Sequence, residues 1–234
     1  MVEWSYTLEF QSSASVFTGL AVAGLVDRMV MRCRGGQPFI PGSSVKGRWR
    51  FFAERLLRSG GLPDSLRMHM PDNPLCKTAD DACTVCKLFG NPSIPSLLWV
   101  GQAEPERVAK ELIGRLLAEN RNPVVHPDAE LRPGIALSRL FRTALEDHLF
   151  FDEALPPLTF TGVVRINGPL SPDEEHFLKA SARLVDRIGG RKAVGRGVLH
   201  EGIRIHENIR IHEGVPPAGK EADNRITGGA SCAT

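Results

Sequence analysis

Residues 2–10 alternate strictly: Trp4, Tyr6, Leu8 and Phe10 fall on one side, Ser5, Thr7 and Glu9 on the other. That pattern predicts a half-buried β-strand. No steady period runs through 11–42, which holds five glycines and two prolines. A long loop is predicted there, and loops of that length inside a compact domain tend to be functional. From 44 to 58, Val45, Trp49, Phe52 and Leu56 recur as the stripe of an amphipathic helix. Ser43 or Ser44 is its predicted cap and Gly60-Gly61 its predicted end. Residues 66–92 form a Pro- and Cys-bearing insert, 97–100 a short apolar strand, and 106–118 a second helix with Val108, Leu112, Leu116 and Leu117 to one side. Residues 119–157 are irregular and rich in Pro and Arg, and 158–167 alternates again as a strand.

Ser171-Pro172-Asp173-Glu174 is a capping box with proline at the first helical position, opening a helix over 172–188. Phe177, Leu178, Leu184, Val185 and Ile188 are its predicted buried stripe, and Gly189-Gly190 its predicted stop. One or two strands are expected over 198–211, a run containing IRIHE at 203–207 and again at 209–213. Residues 214–234 have almost no large apolar side chains and are expected to be disordered. With the inserts set aside, the order is strand, helix, strand, strand, helix, strand. This predicts an α+β, ferredoxin-like (RRM-like) βαββαβ core over 1–213, interrupted at about 66–92 and 119–157. That pattern hosts many functions, RNA-binding modules among them.

The composition of the 234 residues, 42% hydrophobic and 24% charged, suits a globular domain. No apolar run approaches the roughly 18 residues that span a bilayer. The first ten residues have no basic region, so no signal peptide is read and a cytoplasmic location without membrane partners is expected. A net charge of +2 points to no partner by itself, but its distribution does. Residues 28–58 carry Arg28, Arg32, Arg34, Lys46, Arg48, Arg50, Arg55 and Arg58 against Glu54 alone. Residues 183–204 carry six further cations against Asp186 and Glu201. Two basic zones on a balanced chain suggest a polyanion track, with two solvated helix faces as the plainer reading.

Glycines favour the track. Pro41-Gly42-Ser43-Ser44 leads into a helix N-terminus carrying Lys46, where free N–H groups and the helix dipole suit a phosphate. The loop GGRKAVGRG, 189–197, combines four glycines with Arg191, Lys192 and Arg196. Cys76, Cys83 and Cys86 have the spacing C-x6-C-x2-C, which fits three ligands of a tetrahedral zinc site. His69 is the preferred fourth ligand and Cys33 the alternative. Ser43-x-x-Lys46 also has the spacing of an acyl-enzyme serine, but the companion elements are missing.

These segments together resemble the RAMP superfamily of CRISPR effector proteins, in order from about residue 4 to 205. PFIPGSSVKGRWR, 38–50, resembles its helix-entry motif. DACTVCKLFGNP, 81–92, resembles the Cys-x-x-Cys-x-Leu-Phe-Gly segment of type III backbone subunits. LRPGIALSRLFRTALEDHLFFDEALP, 131–156, resembles their R-x-G-x-A-x-x-R segment, and 189–197 their glycine-rich loop. The resemblance implies subunits stacked along a guide RNA (crRNA), with other copies and other effector subunits as partners. It implies a thumb-like hairpin, in the insert at about 119–157, that kinks the guide–target duplex, and cleavage of target RNA beside each kink with Mg²⁺ or another divalent cation. It places the catalytic acid at Asp27, in GLVDRMVMR, and a thumb contact at Arg139. Arg28, Arg32, Ser43, Ser44, Lys46, Arg50, Arg191, Lys192 and Arg196 are the other expected RNA contacts, and a structural Zn²⁺ on His69, Cys76, Cys83 and Cys86 is similar to the zinc knob of some members. Cys33 and Ser138 stand where the family usually has acids. Asp27 is the only carboxylate between Glu9 and Glu54 and suits a hydrated cation or a 2′-hydroxyl proton. A guide-binding scaffold that does not cut is the alternative, and a guide-precursor endoribonuclease a further one, unsupported by any histidine cluster.

Overall fold

The computed structural model describes residues 2–22, 25–69, 76–120 and 126–207. At its centre is β1 (Val2–Phe10), whose Trp4, Tyr6, Leu8 and Phe10 are all buried while the residues between them are not. The period-2 pattern therefore sets the face of the whole sheet. β1 pairs antiparallel with β6 (Thr159–Ile166) on one side and β7 (Leu199–Glu207) on the other. β2 (Leu98–Val100) and the two-residue β3 (Glu104–Pro105) extend the sheet beyond β6, giving the order β2-β6-β1-β7. With α1 (Gly42–Arg58) and α4 (Pro172–Arg183) as the connections, this is the ferredoxin-like arrangement expected from the element order.

α1 buries Val45, Trp49, Ala53 and Leu57, with Phe52 and Leu56 only partly covered. The buried stripe thus runs on i+4 steps and lies slightly round the helix from the predicted one. The Trp49 indole N–H donates to Ser181 Oγ (2.9 Å), fixing α1 against α4. Neither Ser43 nor Ser44 caps α1: Pro41 occupies that position without a side-chain bond. The glycine of the entry motif has a packing reason, because a Cβ on Gly42 would lie 1.9 Å from the Val100 carbonyl oxygen. Only glycine lets the helix start against β2.

The capping box at Ser171 and Glu174 is present in both directions, but α4 ends at Arg183, well before Gly189-Gly190. Val185 and Ile188 are buried as expected, whereas Leu184 is exposed. α3 (Arg107–Glu119) turns Ile113 inward and leaves Val108 and Leu112 exposed, so its apolar stripe is read one position off from sequence. A short helix, α2 (Thr84–Phe89), lies inside the Cys-bearing insert. The segment read as irregular contains a long hairpin of β4 (Glu130–Leu137) and β5 (Ala144–Ala154), a separate two-stranded sheet. The second IRIHE copy and the 214–234 tail lie outside the described residues. Among the described residues no helix is long and apolar enough to cross a membrane. Trp49→Ala, which empties the largest fully buried side chain and removes the α1–α4 bond, is expected to cost about 3–5 kcal/mol. Urea unfolding should show it as a lower midpoint with little change in slope.

Candidate functional site

Asp152 stands at the base of the β4–β5 hairpin and is 1% exposed. The Arg191 Nε–H donates to its Oδ2 (2.8 Å), with Arg196 Nη1 at 3.7 Å from the same oxygen and Arg28 Nε at 3.9 Å from Oδ1. The cations come from two loops far apart in sequence. Arg28 belongs to the loop after β1, Arg191 and Arg196 to the glycine-rich loop after α4. Burial lowers the Arg196 pKa while Asp152 pulls it back up; the group stays charged, as arginines do. The neighbouring Glu153 is equally buried, and its carboxylate accepts the Val30 N–H (2.8 Å). Neither acid was singled out from sequence. The available signal was an acidic pair, Asp152-Glu153, closing the apolar run of a strand and flanked by two basic zones.

This junction fixes Asp27. Its N–H donates to the Phe151 carbonyl (2.9 Å), and its Oδ2 accepts the Phe151 N–H (2.7 Å). The carboxylate is exposed, and Oδ1 has no hydrogen-bond partner among the described residues. The Arg28 guanidinium lies 5.8 Å from the ring centres of both Phe17 and Phe150.

Phe17 also lines an open groove of about 520 Å³. One wall is α1, with Ser43, Ser44, Gly47, Arg48 and Phe51; the other is the glycine-rich loop, with Gly189, Gly190 and Lys192. The paired glycines let this loop approach the segment after β1, since Cβ atoms on Gly189 and Gly190 would lie 2.7 Å from Ser15 O and 2.5 Å from the Phe17 ring. Lys192 is exposed, and its ammonium donates to the Gly189 carbonyl (2.9 Å).

Besides Arg191 and Arg196, three more of the expected RNA contacts make bonds within the protein. The Arg32 side chain is 8% exposed and donates from Nη1 to Asp128 Oδ2 (2.8 Å) and Gly36 O (2.9 Å). The Lys46 ammonium donates to Ser96 Oγ and Leu98 O, both at 2.7 Å, and its pKa is lowered by burial and then by Arg50. Arg50 donates to Glu54 (2.9 Å) and to the Gly90 carbonyl (2.6 Å). Arg32 ties the loop after β1 to the segment before β4, Lys46 ties α1 to the start of β2, and Arg50 ties α1 to the Cys-bearing insert. Arg139 lies at the other extreme, at the exposed tip of the hairpin beside Leu140 and Phe141, which are 81% and 72% exposed.

The insert brings His69, Cys76, Cys83 and Cys86 together, with ligand atoms all within 4.8 Å of one another. Both His69 nitrogens approach sulfur, Nδ1 to Cys76 and Nε2 to Cys86, each at 3.5 Å. A tetrahedral metal site with thiolate and imidazole ligands has edges of roughly 3.5–3.8 Å, so the donor set fits a metal. Burial pushes the Cys83 thiol up to about 12 when no cation compensates its charge. Cys33 is not part of this cluster but sits on the turn its carbonyl closes with Gly36; the fourth side chain gathered with the three cysteines is His69. The cluster is pressed against α1, where Phe89 meets Trp49 edge to face (5.7 Å).

The fold and this junction define a ferredoxin-like domain carrying an insert with a His/Cys cluster that could hold a metal, and a projecting hairpin. The chain belongs to the RAMP superfamily, whose sequence profile matches residues 10–200. No curated protein sequence matches it. Among solved structures, the fold is shared with a chain of the type III-B Cmr-beta complex bound to cognate target RNA, seen by cryo-EM. The two are 15% identical, with a TM-score of 0.54, over 88% of this chain and 97% of that one.

The placement of Arg32 has a direct consequence. Arg32→Ala leaves the Asp128 carboxylate buried without its cation and is expected to cost about 3–5 kcal/mol. Arg139→Ala, at the solvent-facing hairpin tip, should stay within about 0.5 kcal/mol. Denaturant titration of the two variants side by side checks the contrast.

Proposed function

We propose that this chain is a backbone subunit of a type III CRISPR effector complex, acting in the cytoplasm, which binds guide RNA and cuts complementary target RNA at Asp27. The observation that carries the reading is the exposed Asp27 carboxylate, held by Phe151 at the hairpin base and followed by Arg28, whose guanidinium lies 5.8 Å from the ring centre of Phe17 in the groove wall. Membership of the RAMP superfamily supports it, as does the shared fold with a Cmr-beta chain in a target-bound complex.

Backbone phosphates of the guide lie along Ser43, Ser44 and Lys192, where the start of α1 offers N–H groups and the opposing loop offers charge. The hairpin, with Arg139 at its tip, is the thumb that parts the bases. Asp27 Oδ1 accepts the proton of a target 2′-hydroxyl; the 2′-oxygen attacks the adjacent phosphorus, the bond from phosphorus to the 5′-oxygen breaks, and that oxygen takes a proton from water. A 2′,3′-cyclic phosphate remains. The bond from Phe151 N–H to Oδ2 holds the carboxylate in place during the transfer. A divalent cation such as Mg²⁺, when bound, would supply positive charge at the scissile phosphate, and Asp27 would hold it as a hydrated ion, through the waters it keeps.

The second reading, a scaffold that binds guide RNA without cutting, is favoured by one observation. Asp27 is not part of any group of three or more metal-ligating side chains among the described residues. Cleavage of guide-complementary RNA by the reconstituted complex separates the two. Wild type should cut at regular intervals with Mg²⁺, and Asp27→Ala should cut at least about 10²-fold more slowly with guide binding unchanged. Equal loss of cutting and binding would overturn the assignment, and binding without cutting in both would establish the scaffold.

The metal in the insert is read as a structural Zn²⁺ on His69, Cys76, Cys83 and Cys86. Metal analysis of purified protein should find about one zinc per chain. Cys83→Ser should lose it and lower the thermal midpoint; protein free of zinc and equally stable would refute the site.

A further inference from the structure

The solvent face of α1 carries Ser44, Arg48, Phe51 and Arg55 in one stripe. Phe51 is 43% exposed, an aromatic ring in a row of cations. Its inner edge meets Phe52 edge to face at 5.4 Å, and Phe52 in turn packs against the core. Two guanidinium groups make cation–π contacts with it, Arg48 at 4.8 Å and Arg55 at 5.5 Å from the ring centre. Arg48 is fixed in that position by Asp186 Oδ1 (2.8 Å) and the Arg187 carbonyl (3.0 Å). Arg55 has no ion-pair partner among the described residues. One turn before Phe51 stands Gly47, where an added Cβ would meet nothing within 4 Å. Alanine favours a helix interior over glycine, so the helix forgoes stability at a position where nothing inside the protein needs the space. That space opens into the groove, which Gly47, Arg48 and Phe51 all line.

We infer that Phe51 is a stacking platform for one nucleobase of a single-stranded RNA whose backbone passes Gly47 toward Ser44 and Lys192. The inference rests on the RNA reading of the groove and adds to it a base contact that is blind to sequence. An exposed ring bordered by guanidinium groups matches the π-face and the phosphates of a polynucleotide together, since bases stack on aromatic side chains and arginine adds a cation–π contribution. An apolar peptide anchor would gain nothing from the two cations.

The test is the affinity of the full chain for a fluorescent single strand of about ten nucleotides, a length within the usual site size, at one fixed salt concentration. Phe51→Ala should weaken binding about 10-fold, and Phe51→Trp should restore it. On the same strand lacking its bases but keeping its sugar-phosphate backbone, wild type and Phe51→Ala should bind alike. Lys192→Glu reports on the groove itself and should weaken both strands. If Lys192→Glu weakens binding and Phe51→Ala does not, the platform is wrong and the groove reading stands. If Phe51→Ala loses as much on the baseless strand as on the normal one, stacking is likewise refuted. If the wild type binds neither strand, or Lys192→Glu changes nothing, the RNA reading of the groove fails and the platform with it. Unaltered RNA binding by Phe51→Ala together with lost self-association in sedimentation would make this face a protein contact and overturn the inference.

Discussion

The functional face depends on a single buried carboxylate. Asp152 is removed from water at the foot of the hairpin, a position that costs several kcal/mol for an isolated charge. Arg191 offsets that cost through a direct bond, and Arg28 and Arg196 add charge at longer range. Removing the carboxylate would leave three cations crowded together, two of them largely buried. The hairpin, the loop bearing Asp27 and the glycine-rich loop thus share one electrostatic centre, although each belongs to a different part of the chain. Backbone bonds then carry that order outward: Glu153 N–H to Arg28 O, Asp27 N–H to Phe151 O, and Gly190 N–H to Ser15 O.

A second constraint acts at the opposite side of α1. The His69–Cys86 cluster gathers an insert with little regular structure; Arg50 binds that insert to the helix through the Gly90 carbonyl, and Lys46 binds the helix to β2 through the Leu98 carbonyl. The basic residues of the chain therefore divide by task. Arg32, Lys46 and Arg50 hold loops in place, while Lys192, Arg55 and Arg139 face outward. α1 links the two regions, since its N-terminal turns border the groove and its inward face, through Trp49, meets both Phe89 and α4. A RAMP-superfamily domain built this way has a rigid sheet beneath a surface of loops, the usual place for a binding site on a stable scaffold.

Local signals were legible in the sequence. The alternation of 2–10, the capping box at Ser171 and the cysteine spacing each depend on neighbours a few residues away, and each appears in the structure. The helix faces of α1 and α3 were read slightly off, because their apolar residues span more than one stripe and tertiary packing selects among them. The hairpin escaped the periodicity because most of β4 and β5 is exposed on both faces, leaving no inside-outside pattern to detect. The Asp152 centre could not be seen locally, since its partners lie 124 residues before it and 39 and 44 after it (152 − 28, 191 − 152 and 196 − 152). Counting cations along the chain also could not separate Arg32, buried against Asp128, from Lys192, which is exposed.

Amide hydrogen exchange on Asp152→Asn tests this centre most directly, since the substitution keeps the side-chain shape and removes the charge. If Asp152 organises the face, the amides of Asp27 and Gly190 and the lower part of β5 lose protection together, while those of β1 and β6 keep theirs. Faster exchange confined to β5, with Asp27 and Gly190 as protected as in the wild type, would show that the two loops are ordered independently and would contradict the account.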